Sequence, residues 1–257
     1  MSGLLRSDFY RLFKSKSFYI CTLVAIFLLN LNLFTIKWAS NMSGEMGEIY
    51  ASLLPKDGIT YGIKAFSDGN TQMIFAIIVA IFVVAEFSHG TMKNIISKGF
   101  SRTQAYLSKL ITMIIATFII IFAGFLVTTA SATVISGAIG SFSWDIIKII
   151  GIELLLNTAL ISILLLSAMV VRNLGGVIAI NIIGILSFGP LIFTLLEYLS
   201  DGKVMFTHYS LFYNMALYIG TTAAAGSDYL RSALVAIVYL ILTTAIGIFA
   251  FKKIDIK

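Results

Sequence analysis

Glu86-Phe87-Ser88-His89-Gly90-Thr91-Met92-Lys93, with Ser101-Arg102 eight residues on, gathers a carboxylate, an imidazole, hydroxyls and cations between two long apolar runs. The chemistry these types and spacings support is electrostatic and conformational. A carboxylate where an apolar helix ends can bond backbone amides or hold a neighbouring cation. Gly90 allows a sharp turn, and Thr91 is placed to cap the helix that follows. Ser101-Arg102-Thr103-Gln104 has capping-box spacing: the serine hydroxyl takes the amide three residues on, and the glutamine returns to the serine's own amide. The stretch between carries Lys93, Lys98, Arg102 and Lys109 with Met92, Ile95, Ile96 and Phe100 interleaved, the pattern of a surface helix that touches a partner.

Catalytic groupings are missing from the sequence. There is no His-Glu-x-x-His, no Gly-x-Ser-x-Gly and no Cys/His cluster, which removes the usual support for a metalloprotease or serine hydrolase. Gly-x-x-x-x-Gly-Lys-Ser/Thr is also missing, so the chain is not read as an ATPase and is expected to hold no cofactor or metal of its own. A lone thiol, Cys21, can make neither an internal disulfide nor a metal cage and reads as a small core residue.

The elements that position the elbow follow from composition. Of 257 residues, 59% are hydrophobic and 12% charged, about half the roughly 25% charged share of a soluble domain. Uncharged runs cover Ser17–Ile36, Gly69–Ala85, Leu110–Trp144, Asn173–Leu196 and Ser232–Phe251, and a further run from Ile149 to Val171 is broken only by Glu153. An all-α polytopic membrane protein is expected, a single domain over 1–257 with six transmembrane helices at about 17–38, 69–87, 108–135, 147–171, 174–197 and 230–251. The first run is too long for a signal-peptide core and is read as a retained span.

Twelve cations fall on one face, in the amino-terminal segment, the elbow, Arg172 and the tail Lys252, Lys253 and Lys257, against six on the other. By the positive-inside rule both termini are cytoplasmic, and His89 and His208 lie on opposite sides. The net charge of +6 then reports topology and anionic lipid rather than a nucleic-acid partner.

Residues 2–14 set Leu4, Leu5, Phe9, Leu12 and Phe13 against Arg6, Asp8, Arg11 and Lys14, an amphipathic helix expected to lie on the inner leaflet and placed to brace the elbow. The outer connection, about 38–70, reads as an irregular loop with a short helix near Ile49–Leu54. Ser136 to Ser141 reads as a loose turn, and Gly189-Pro190 should bend or stop the fifth span. Val204–Gly226, diluted by Thr207, His208, Asn214 and Thr221-Thr222, is expected to form re-entrant helices from the extracellular side rather than a seventh crossing. Glu153 is expected to reach the outer interface or pair with Lys148, ahead of a proton-relay role, while Asn157, Thr158, Ser162, Ser167 and Asn181 should hydrogen-bond between helices.

Glu86-x-x-x-Gly90-Thr91-x-Lys93 followed by Ser101-Arg102 resembles the signature after the second span of ABC-2 type transporter permeases, and the resemblance extends along the whole chain. One departure is Gly99-Phe100, where that family often has proline shortly before the Ser-Arg pair. The resemblance implies a cytoplasmic coupling helix between spans 2 and 3, with Glu86, Gly90, Thr91, Lys93, Ser101 and Arg102 forming the ATPase-coupling elbow. It further implies a separate ABC ATPase in two copies, which binds ATP and Mg, and a second permease, identical or homologous. The expected activity is ATP-driven export of an amphipathic cargo, first an antimicrobial or toxic peptide, across a bacterial cell membrane. A stand-alone carrier or channel, and a non-transporting scaffold or sensor, are the rival expectations.

Overall fold

The computed structural model describes residues 1–201, 203–219 and 224–254. In chain order, α1 is Ser2–Lys14, α2 Lys16–Ala39, α3 Glu45–Ser52, α4 Gly58–Gly62, α5 Gly69–Ser88 and α6 Thr91–Ser97. Then come α7 Arg102–Ser136, α8 Trp144–Val171, α9 Leu174–Ala179, α10 Gly189–Leu199, α11 Leu211–Ala216 and α12 Gly226–Lys253. No strand occurs among the described residues. Six helical stretches are long and apolar enough to cross a membrane: 16–39, 58–88, 102–136, 144–171, 174–199 and 226–253. The chain is a multi-pass membrane protein.

Burial sorts these helices into inner and outer ones. In the apolar window running through α5, 67% of residues are buried, against 11% in the one through α9 and α10, so the first is walled by protein and the second faces its surroundings. Small residues bring the inner helices close. A side chain at Gly124 of α7 would meet Leu29 of α2, and one at Gly247 of α12 would run into the fully buried ring of Tyr106 on α7. The 35 residues of α7 make about 52 Å of helix, well beyond a hydrocarbon core of about 30 Å, so its ends project past the apolar layer. α1 and the end of α12 meet at its start, where Asp8 bonds Ser108 and Arg102 reaches the backbone of α12.

The connection over about 38–70 is more ordered than an irregular loop. Residues 45–52 form the expected short helix, but α4 and a 3₁₀ turn at Ile63–Phe66 then bury Ile59, Tyr61, Ile63, Ala65 and Phe66. Asp57 caps α4 by accepting from Thr60 N at 2.8 Å. The amides of Gly58 and Ile59 bond the carbonyls of Ala138 and Ile139 at 2.9 and 3.0 Å, so the stretch after α7 is pinned rather than loose. Glycine composition suggested an irregular loop here; instead, Gly58 and Gly62 let backbone press against Thr133 and Thr129 of α7.

The fifth span passes Gly189-Pro190 by an unexpected route. Ile180–Phe188 is wound as a π-helix, and Pro190 opens α10 immediately after it. Proline removes an amide donor and crowds the preceding turn, and the wider π winding absorbs that misfit without ending the helix. Between the last two spans lie a 3₁₀ turn at Phe206–Tyr209 and α11, both too short to cross; the part of the expected re-entrant pair at 220–223, and Lys257 of the tail, fall outside the described residues. Three polar side chains within spans bridge helices: Asn157 to Phe66 O at 2.7 Å, Ser162 to Thr243 at 2.5 Å, and Ser167 to Asn181. Thr158 bonds only its own helix, at Leu154 O.

Candidate functional site

At the elbow, α5 stops at Ser88 and His89 Nδ1 folds back onto Ala85 O at 2.6 Å. Gly90 then takes φ +67°, a left-handed conformation that costs other residues about 1–2 kcal/mol, and turns the chain into α6. Thr91 is not the cap: it is the first residue inside α6, Gly90 holds the cap position, and no side-chain bond closes that end. Beyond α6, Gly99 is left-handed again at φ +89°. Ser101 closes α7 as expected, accepting from Gln104 N at 3.1 Å while Gln104 Oε1 accepts from Ser101 N at 3.0 Å. Two left-handed glycines and one capping box thus fix a seven-residue helix between two long ones.

Beneath the elbow lies a closed charge cluster. Glu86, buried at the end of α5, pairs with Arg11 of α1 and, at 2.6 Å, with Lys109 of α7. Lys109 also pairs with Asp8 of α1, whose other oxygen accepts from Ser108 Oγ at 2.5 Å. Two carboxylates and two cations balance, which is the condition for burying them at all. Arg11 further donates to Phe82 O at 3.1 Å and lies 4.2 Å over the Phe82 ring, so α1 is fastened to α5 by charge, hydrogen bond and ring face together.

Asp8 corrects the reading of α1. The residues of α1 that bury are Leu4, Asp8 and Leu12, one turn apart on a single stripe, so Asp8 belongs to the packed face and not to the polar one. Phe13, on the apolar side of the expected pattern, is exposed.

Arg102 works at a second joint. Its Nη1 donates to the carbonyls of Phe251, Lys252 and Ile254 at 3.0, 2.7 and 2.6 Å, capping the end of α12 from the first residue of α7. A cation there also meets the negative end of the helix dipole. Glu86 and Arg102 therefore do not share a pocket; they lock α5 to α1 and α7, and α7 to α12. Lys93 does neither. With Asn94, Ser97 and Lys98 it forms the exposed face of α6, while Met92 is fully buried on the other side.

Residues 57–257 match the sequence family DUF2705, described as a protein of unknown function. The chain belongs to this family. No curated protein matches it. The DUF2705 match begins at Asp57, the cap of α4, and takes in the whole elbow with Lys109, while Asp8 and Arg11 lie outside it.

In this DUF2705 chain, sequence reasoning missed that Asp8 and Lys109 meet. The signal was periodicity: Lys109 follows Ala105 by one turn and precedes Met113 by another, on a stripe buried throughout. A charge inside an apolar stripe calls for a partner of opposite sign. Among the described residues no group of three or more His, Cys, Asp and Glu is placed to hold a metal ion.

Proposed function

We propose that this chain is the membrane subunit of an ATP-driven exporter of the ABC-2 permease type, with α6 as the helix that docks on a separate nucleotide-binding subunit. A docked helix transmits a rigid-body push only if it cannot yield at its base. The observation that carries the reading is the Asp8–Lys109–Glu86–Arg11 cluster directly under α6, which makes α1, α5 and α7 one body. Arg102 extends that body to α12, the last crossing helix.

In this reading both termini and α6 face the cytoplasm, α1 lies along the inner leaflet, and α11 with its neighbouring turns dips in from outside. Two nucleotide-binding subunits hold ATP and Mg; two permeases, identical or homologous, form the path between them in a bacterial cell membrane. Outer helices rich in exposed Leu, Ile and Phe, as along α10 and α12, suit an amphipathic cargo, with a peptide the first candidate. One observation favours a stand-alone carrier instead: the fully buried, cation-free Glu153, since carriers keep ionisable groups inside the membrane.

The test is recovery of the full chain from its native membranes under mild detergent, followed by mass spectrometry and ATP hydrolysis in lipid. Co-purification of a phosphate-loop ATPase whose hydrolysis the chain stimulates supports the exporter. Transport by the chain alone in vesicles without nucleotide rejects it and favours the carrier.

A further inference from the structure

Glu153 sits in the tenth position of α8 with no exposed surface, and neither carboxyl oxygen receives a hydrogen bond. The expected partner is elsewhere: Lys148 pairs with Asp145 at 2.9 Å on the exposed side of the helix. One turn on, Asn157 Nδ2 donates to Phe66 O at 2.7 Å and to Glu153 O at 2.8 Å. Both amide hydrogens are thereby used, which fixes the orientation of the side chain and leaves Oδ1 a buried acceptor with no donor. Ser67, next after Phe66, stands beside the carboxyl with its own hydroxyl buried and unaligned.

Among the described residues, the charged groups on the neighbouring elements have contacts of their own. Lys64, on the 3₁₀ turn, lies over the Tyr61 ring at 4.2 Å, and Asp68 caps α5 through Thr71 N at 2.8 Å. On α12, Arg231 pairs with Asp228 at 2.9 Å, and the Arg231 guanidinium stands 5.8 Å from the Tyr213 ring of α11. Tyr218 donates to Ser232 Oγ at 2.8 Å, and its ring stacks on Tyr229. Glu86 and Lys109 belong to the cluster at the opposite end of α5 and α7. An ionised Glu153 would therefore be a buried charge without a cation, its two oxygens and Asn157 Oδ1 all acceptors and only the unaligned Ser67 hydroxyl able to donate, an arrangement that costs several kcal/mol. A single proton turns one of those acceptors into a donor.

We propose that Glu153, Ser67 and Asn157 form a buried proton-binding site that holds the 63–67 segment, the 3₁₀ turn and Ser67, against α8. The neutral acid donates within the site, and Asn157 grips Phe66 O beside it. Loss of the proton places a charge there that must draw in water, and the segment lifts from α8. This inference stands apart from the ATPase reading, because it concerns the opposite end of the bundle and holds for exporter or carrier alike.

The experiment uses the full chain in lipid nanodiscs and compares wild type, Glu153→Gln and Ser67→Ala by infrared spectroscopy in the carboxyl C=O region and by hydrogen exchange over 63–67. At pH 7 the wild type should show a protonated-carboxyl band that vanishes in Glu153→Gln and shifts in Ser67→Ala. Protection of 63–67 should fall at least tenfold in wild type at about pH 10, above the range documented for buried glutamates, and stay unchanged in Glu153→Gln. Should Glu153→Gln not fold, the Ser67→Ala shift decides alone. Absence of the band or of its shift overturns the proposal. So does protection that depends on added sodium or potassium, which would make a metal cation the occupant.

Discussion

Lys109 Nζ stands 2.6 Å from the Glu86 carboxylate, joining the last turn of α5 to the eighth residue of α7 beneath the exposed helix α6. Neither side chain of the pair reaches solvent. A buried pair of this kind adds little stability over an apolar replacement, but removing one member strands the other charge at a cost of about 3–5 kcal/mol. Its use is therefore to make the joint specific and stiff.

Lys109→Met is expected to destabilise the chain by about 3–5 kcal/mol, because Asp8 then loses its cation and Glu86 keeps only the partly exposed Arg11. Adding Glu86→Gln should restore part of that loss, a coupling of about 1–3 kcal/mol. Denaturant unfolding in detergent reads both; strictly additive losses would mean that the two residues do not interact.

Asp8→Ala should release α1 without unfolding the bundle. Exchange of α1 amides should rise at least tenfold while α7 and α8 stay protected, since only Leu4, Leu12 and the partly exposed Arg11 then hold the helix. Unchanged protection over residues 2–14 would remove α1 from the brace.

Arg102→Ala is expected to cost about 1–2 kcal/mol and to fray the end of α12, where three carbonyls lose their donor. Arg102→Lys should recover part of this, because a cation at the helix terminus remains. Hydrogen exchange over 245–254 makes the comparison; equal behaviour of both variants would exclude a capping role.

Gly247→Val should be among the most damaging single changes in α12, at about 1–3 kcal/mol, because the buried Tyr106 ring occupies the space of any added side chain. Tyr106→Ala in the same chain should relieve the clash, and a melting temperature that does not recover would point to another cause.

Long apolar runs made the six crossing helices legible in the sequence, and Ser101 and Gln104 made the capping box so, because both signals are local. The brace was not legible. Asp8, Glu86 and Lys109 are separated by dozens of residues, and a rule that counts cations by side of the membrane assigns Lys109 to solvent when packing puts it inside. Thr91 misled for a local reason: a capping side chain was available, but Gly90 takes the cap position and sets Thr91 one residue inside the helix. In the 57–67 segment glycine reads as looseness locally and serves as close packing once Thr129 and Thr133 of α7 are opposite it.

The central claim is that the exposed face of α6 engages a nucleotide-binding protein, and photo-crosslinking tests it most directly. A photoreactive residue in place of Lys93, exposed at the middle of that face, should crosslink in native membranes to an ATP-binding cassette subunit. The same group in place of Lys148, exposed at the other end of the bundle, should not. A crosslink from Lys148 and none from Lys93, or no nucleotide-binding protein at either position, would contradict the account.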